Sequence, residues 1–242
     1  LIADHKEACE KHFWPQQVAI GIRSGMSLLV YGVRTLLELR PDFIVVKIDF
    51  KNGYNEIKRA RVAKALDAAP GFRGLAPLFR ATHGQPSRIF LAAPDRPEAD
   101  FMSREGLHQG DALASLGFCA GIHEDVVVLD AELAVHGGTA KFDMDDGYAI
   151  GPAHAVFDAV LRFAARATDL GLELRIDKCK CFSFGVDLLE CAHRPRCMEI
   201  GQLEATDGNT GYGIAVGGVP VGDDTYVNAF LSGKVSSAKS KT

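Results

Sequence analysis

The sequence predicts an α+β fold, and three features carry that prediction. Helix-like and strand-like segments mix along the chain without strict βα alternation, which argues against a parallel α/β sheet. The run Phe43-Ile44-Val45-Val46-Lys47-Ile48-Asp49-Phe50 is short and nearly continuously apolar, as a central strand is. Further on, Lys141-Phe142-Asp143-Met144-Asp145-Asp146-Gly147-Tyr148 places Asp-Gly between two strand-like runs, a hairpin-turn signal. At 242 residues the chain can bury a sizeable core, as one large domain or one domain with a partial neighbour.

Taken in order, Ser24-Gly25-Met26 caps a helix expected to run to about Leu39, with Val30, Val33, Leu36 and Leu37 on its apolar face and Pro41 ending it. The strand from Phe43 follows. A second helix after Asn55 stops at Pro70-Gly71. Arg88 to Leu91 reads as a strand, and a largely apolar helix is expected from about Asp111 to Val127. Ala131 to Ile150 reads as a hairpin. A helix from about His154 to Leu170 is closed by Gly171. Glu173 to Ile176 and Cys181 to Phe184 are short strands, and a polar, irregular stretch follows. Tyr212 to Val221 is a last hairpin around Gly217-Gly218. The Ser- and Lys-rich segment 232–242 reads as a disordered tail, which leaves 1–231 as the folded part.

Composition narrows the class. With 47% hydrophobic and 24% charged residues the chain is an ordinary globular one. No apolar run is long enough to span a bilayer, and no signal peptide opens the chain, so no membrane partner is expected. It begins at Leu1, which suggests a fragment or a processed product. Its six cysteines are thinly spread, which suits a reducing, intracellular setting, nuclear or cytoplasmic. A net charge of −4 is unusual for a nucleic-acid binder, because phosphate contacts need lysine and arginine.

The carboxylates carry the chemistry. On the first strand Ile44, Val46, Ile48 and Phe50 share one face, which can pack on helices. Phe43, Val45, Lys47 and Asp49 share the other. A carboxylate ending a buried strand is costly unless paired or metal-bound, so Asp49 belongs at a rim. Asp143, Asp145 and Asp146 crowd the hairpin tip. Divalent cations, which prefer oxygen ligands, relieve such repulsion. Joined to Asp49, the tip supplies what two-metal phosphoryl transfer requires. Taken singly, Asp-Asp-Gly is an ordinary solvated turn and Asp49 an edge or capping residue.

These residues also resemble a known family. Ile48-Asp49-Phe50-Lys51-Asn52-Gly53-Tyr54-Asn55 resembles motif A of reverse transcriptases. Gly106-Leu107-His108-Gln109-Gly110-Asp111-Ala112-Leu113 resembles motif B, usually Gly-x-x-Gln-Gly-Asp-Pro-Leu. Met144-Asp145-Asp146-Gly147 matches the end of motif C. Gly171-Leu172-Glu173-Leu174 with Lys178-Cys179 resembles motif D, and Gly217-Gly218-Val219-Pro220-Val221-Gly222 resembles the motif E hairpin, the primer grip. The motifs fall in the family's order between about Gln17 and Phe230, in the manner of non-LTR retroelement enzymes.

The resemblance implies a polymerase palm, with a ferredoxin-like (RRM-like) antiparallel sheet backed by helices, partial fingers and no thumb. It implies an RNA-directed DNA polymerase acting on an RNA template, a DNA primer and dNTPs, with further domains of a longer polyprotein beside it. Two Mg²⁺ ions, or Mn²⁺, would be held by Asp49, Asp145, Asp146 and the carbonyl of Phe50. Tyr54 falls at the steric-gate position, beneath the sugar. Gln109 and Gly110 would line the nucleotide pocket, and Lys178 would protonate the pyrophosphate leaving group.

The pattern is not complete. Asp143 stands where motif C has Tyr, and Ala112 where motif B has Pro. No basic finger strands are recognisable before Gln17, and about twenty residues after motif E are too few for a helical thumb. Alternative readings are a catalytically inactive palm that binds nucleic acid or protein, an RNA-dependent RNA polymerase, and a zinc module of Cys179, Cys181, Cys191, His193 and Cys197. Tyr54 speaks against the RNA polymerase, which places a smaller residue near the sugar. The spacing of the zinc ligands is not a standard one.

Overall fold

A computed structural model describes residues 3–93, 96–108 and 110–239. In chain order the elements are α1 (Lys6–Phe13), α2 (Gly25–Leu39), β1 (Phe43–Ile48), α3 (Gly53–Glu56), α4 (Arg59–Ala68), α5 (Ala76–His83), β2 (Ser87–Ala93) and β3 (Arg96–Ser103). Then come α6 (Ala114–Ala134), β4 (Thr139–Asp143), β5 (Asp146–Pro152), α7 (Ala153–Ala167), β6 (Lys180–Phe182), β7 (Glu199–Ile200), β8 (Gln202–Glu204), β9 (Thr210–Val216), β10 (Val219–Gly222) and α8 (Asp224–Lys239).

The organising sheet runs β4-β5-β1-β6-β7, with β1 at its centre, where its continuous apolar run belongs. Its neighbours pair antiparallel, except that β7 lies parallel to β6. Register sorts its side chains onto two faces, because residues directly opposite share a side. Ile44, Val46, Ile48, Phe142, Ala149 and Cys181 enter the larger core, with Ile122 and Val126 of α6 and Val160 and Phe163 of α7. Val45, Tyr148, Ile150 and Phe182 enter the second, against Val33 and Leu37 of α2 and Ile214, Val216 and Val221 of the β9–β10 hairpin. The parity read from the sequence for β1 therefore holds, and both faces are covered.

Several expectations need correction. Ser24 stands at the N-cap of α2 with φ 57° and makes no side-chain capping bond. The start of that helix is instead set by Gly25, where a methyl would overlap the Val18 carbonyl. The apolar helix α6 begins at Ala114 and runs on to Ala134, so the hairpin begins only at Thr139. Buried residues from Leu116 to His123 occupy every side of the first half of α6. In the second half the exposed Val127 and Val128 blur the pattern of the buried face formed by Val126, Leu129 and Leu133, so the end is not marked in the sequence. Helices α1 and α5 and strands β3, β7 and β8 are not anticipated by the sequence, and Glu173 to Ile176, expected as a strand, is reduced to a bridge between Leu174 and Phe50. The ribbon β2–β3 forms a sheet of its own, and β3 lacks the apolar alternation by which strands are recognised.

The segment from Ser232 read as a disordered tail is, as far as Lys239, the exposed second half of α8. Asp223 seeds that helix. Its carboxylate accepts the Tyr226 N–H at 2.7 Å and the Tyr212 N–H of β9 at 2.7 Å, capping the helix and fixing it to the hairpin together.

Candidate active site

Asp49 lies one residue beyond β1. Its backbone is held from both sides: its N–H donates to Cys179 Sγ at 3.4 Å, and its carbonyl accepts the Arg175 N–H at 2.9 Å. Its side chain is exposed at the rim, as expected. The last register pair of the central strands is Ile48 with Gly147, so Asp49 adjoins Asp146 across the sheet end.

The hairpin turn is not at Asp146-Gly147. Asp143 pairs with Asp146, which leaves Met144 and Asp145 as the two turn residues, with Met144 at φ 57°. Gly147 belongs to β5, and its lack of a side chain serves packing: a methyl there would overlap the ring of Phe142, its cross-strand partner. The placement also sets the faces. Asp143 and Asp146 lie directly opposite and share the side of Lys47, while Asp145 sits in the turn.

Lys47, which the sequence reading did not assign a role, is the local counter-charge. Its ammonium reaches Asp146 at 3.1 Å and lies over the Tyr148 ring at 5.7 Å. Burial works to lower its pKa, but Tyr148 and Asp146 outweigh it and leave the lysine above its ordinary value. For Asp145, burial pushes the carboxyl up. A backbone hydrogen bond opposes this, Asp146 adds to it, Lys47 opposes it, and Asp49 adds to it again. Asp145 therefore feels both carboxylates with which the sequence grouped it. Asp143 is raised by burial, then by Asp146 and Asp145.

These shifts have a consequence for stability. A carboxyl whose pKa is higher in the folded than in the unfolded chain binds more protons when folded, so its ionisation costs stability as pH rises. The cost is absent below the unfolded value of about 3.9 and complete above the raised folded value. Asp143→Asn is therefore expected to stabilise the metal-free protein at pH 7, by a margin that disappears as pH falls below about 3.9. Urea denaturation at the two pH values checks it; a gain that grew on acidification would contradict the sign.

Tyr54 stands in the short helix α3, directly below the turn. Its ring stacks on Phe118 at 4.6 Å and 13°, and its hydroxyl donates to Met144 Sδ at 3.1 Å. Burial pushes the phenol up to about 12. Phe50 forms an antiparallel bridge with Leu174. The bonds of that bridge run from Lys51 N–H to the Glu173 carbonyl and from Arg175 N–H to the Asp49 carbonyl, so neither uses the Phe50 carbonyl.

Gly110 has φ 92° with open space where a Cβ would stand, so the backbone turn is what requires glycine there. Gln109 lies outside the described residues. Lys178 is exposed, and its ammonium is drawn to Glu199 at 3.6 Å. The β9–β10 hairpin is tied to the sheet through the Gly217 N–H, which donates to the Tyr148 hydroxyl at 3.2 Å.

Among the described residues no three His, Cys, Asp or Glu side chains converge into a ready-made cage for a metal ion. Asp146 turns instead to Lys47. The five residues of the zinc alternative are not assembled either. Cys179 and Cys181 are fully buried in the larger core, and the His193 ring tilts against His154 at 5.9 Å. Among the described residues no helix is long and apolar enough to cross a membrane.

No protein-family model matches the chain, and no curated protein matches it. Solved structures do. Apo telomerase from Candida tropicalis, truncated from its C-terminal domain, superposes with a TM-score of 0.53 at 11% identity, over 75% of this chain and 39% of that one. Telomerase from Candida albicans in complex with a TWJ fragment of telomeric RNA aligns at TM-score 0.48 and 12% identity, over 87% and 38%. The RNA-dependent RNA polymerase of a human picobirnavirus aligns at TM-score 0.44 and 15% identity, over 65% and 30%. This chain thus spans well under half the length of each. The first likeness, joined to the central antiparallel sheet backed by helices, defines the class: an α+β polymerase palm fold. At 11% identity it speaks for the fold alone.

Proposed function

We propose that this chain is the reverse transcriptase domain of a non-LTR retroelement, an RNA-directed DNA polymerase that joins dNTPs to a DNA primer 3′-hydroxyl on an RNA template. The observation that carries the reading is that Asp49, just beyond β1, lies beside Asp145 of the Met144-Asp145 turn and Asp146 at the start of β5, at one end of the central sheet. The Tyr54 ring beneath that turn and the β9–β10 hairpin tied to Tyr148 support it. The setting would be intracellular, with further domains of a longer polyprotein adjoining.

The donor set suits Mg²⁺, with Mn²⁺ as a substitute. It offers hard carboxylate oxygens, and the Asp145 carboxyl, pushed up by burial and further by Asp146 and Asp49, is one whose ionised form a cation would favour. Mg²⁺ sites of this kind use one or two carboxylates and take their remaining ligands from water and substrate phosphates, so a three-carboxylate cage is not required. Two such ions, when bound, would activate the primer hydroxyl and stabilise charge on the phosphorus and the leaving group.

The chain's own residues would do the rest. Asp49 and Asp145 would be the principal ligands, with Asp146 and the Phe50 carbonyl close by. Lys47 offsets the negative charge of the cluster. Gln109 and Gly110 would line the nucleotide pocket, and Lys178 would leave Glu199 to protonate pyrophosphate. Primer extension on an RNA template with Mg²⁺ and dNTPs tests the reading. Retained RNA binding without incorporation would favour the inactive palm instead, for which the Lys47–Asp146 ion pair and Asp143 in place of Tyr are the relevant observations.

As a steric gate, Tyr54 gives a separable result. Tyr54→Val is expected to raise ribonucleotide use relative to dNTPs by roughly tenfold or more, the scale on which one pocket contact discriminates. Because this is a ratio measured within one variant, loss of folded protein does not disturb it. An unchanged ratio would assign Tyr54 to packing on Phe118 alone.

A further inference from the structure

The Met144-Asp145 turn is held from below by a residue outside every motif of the resemblance. Gln17 is fully buried. Its side-chain carbonyl accepts the Met144 N–H at 3.1 Å, and its amide nitrogen donates to the Met144 carbonyl at 3.1 Å. Both halves of one side-chain amide are thus bound to the backbone of a single turn residue, the one with φ 57°.

The segment that carries Gln17 is itself fixed to β4. Phe142 N–H donates to the Gln16 carbonyl at 2.7 Å, and Val18 N–H donates to the Phe142 carbonyl at 2.8 Å. This makes a parallel bridge between Gln17 and Phe142. On the other side, the Gln16 amide donates to Asp130 at 2.7 Å, and Asp130 also accepts from Thr139 and Ala140 at the start of β4. Gln17 therefore holds the turn at the far end of β4 directly, and Gln16 reaches the start of the strand through Asp130. Met144 has a second restraint, since its sulfur accepts from Tyr54.

We infer that Gln17 is a positioning residue that fixes the Met144 backbone and so sets where Asp145 and Asp146 point. The metal-binding part of this inference rests on the function proposed above. A turn of two residues has few backbone restraints of its own, and repulsion among Asp143, Asp145 and Asp146 would otherwise drive it open. A glutamine suits the task because it offers one acceptor and one donor in a fixed plane and carries no charge. Glu or Lys there would add charge to the buried side of the cluster.

Gln17→Met keeps length and volume and removes both bonds; Gln17→Asn keeps an uncharged amide but draws it back by one methylene and weakens both. Val33→Ala, in the second core, is the control for a general loss of stability. Two measurements separate the possibilities. In amide hydrogen exchange, the Met144 N–H is expected to exchange roughly tenfold faster in Gln17→Met than in Val33→Ala at matched stability. In Mn²⁺ titration followed by electron paramagnetic resonance, Gln17→Met is expected to bind roughly 10- to 100-fold more weakly, the usual effect of removing a partner that orients a ligand, while Val33→Ala binds as the parent does. Gln17→Asn is expected to fall between the parent and Gln17→Met in exchange, and serves if Gln17→Met does not fold. Equal Met144 exchange in Gln17→Met and the control, or unaltered Mn²⁺ affinity, overturns the inference. If the parent protein itself binds no Mn²⁺, the proposed function fails, and the exchange measurement still decides whether Gln17 holds the turn.

Discussion

Asp49→Asn is expected to remove nucleotide incorporation while leaving the fold intact. The asparagine keeps the size of the side chain and the backbone bonds to Cys179 and Arg175. What it loses is the charge that would draw a divalent cation to the end of β1. Metal-ion catalysis of this kind supplies several kcal/mol of charge stabilisation, so the rate should fall on the order of 10³-fold. Because the Asp49 side chain is exposed, stability should change by no more than about 0.5 kcal/mol. Primer extension and Mn²⁺ titration, run beside a urea denaturation curve, give all three quantities. Incorporation at the parent rate, with Mn²⁺ binding unchanged, would remove Asp49 from the site and with it the two-metal reading.

Phe142→Ala is expected to give the largest loss of stability. The ring is fully buried, meets Phe163 edge-on at 5.8 Å and covers Gly147 across the hairpin. Deleting it opens a cavity between the sheet and α7 and leaves the glycine strand without its cross-strand cover. Such truncations cost roughly 3–5 kcal/mol. A domain whose total stability is about 5–15 kcal/mol would be left marginal. The shift in the urea midpoint measures it, and a loss below about 1 kcal/mol would mean that the site collapses around the gap. The backbone bonds from Phe142 to Gln16 and Val18 use no side-chain atoms, so the N-terminal segment should stay attached where the variant folds.

Residues whose signals lie close together in the sequence were the ones that could be read from it. Alternation along Ile44, Val46 and Ile48 placed those side chains in the larger core, because a pleated strand sends alternate residues to opposite faces. Gly171 closed its helix as expected, with φ 83°. The hairpin was recognised too, but its turn was set two residues late. Asp-Gly is a frequent turn pair, and here the glycine answers to the Phe142 ring instead. With the turn at Met144-Asp145, Asp146 pairs with Asp143 and Asp145 lies in the turn. The faces of the residues beyond the tip are the same in either placement, because a two-residue shift preserves strand parity.

Other features depend on residues far apart in the chain. Lys47 and Asp146 form an ion pair only because β1 and β5 are neighbours in the sheet. Gln17 and Met144 are separated by 127 positions. Nothing in the Gln16-Gln17 dipeptide distinguishes a pair of surface amides from one buried clamp and one strand anchor. The second half of α8 has the composition of a tail, yet continues as a helix from a start that Asp223 and Tyr226 provide.

By itself the sequence determined the α+β class, the two-faced central strand and the set of aspartates, because periodicity and local residue chemistry are written within short windows. Only the tertiary structure decided which aspartate faces Lys47, which residue holds the Met144 turn, and why Gly147 is a glycine. Each of those is set by what packs or pairs across the sheet, and pairing across a sheet joins positions that no short window contains.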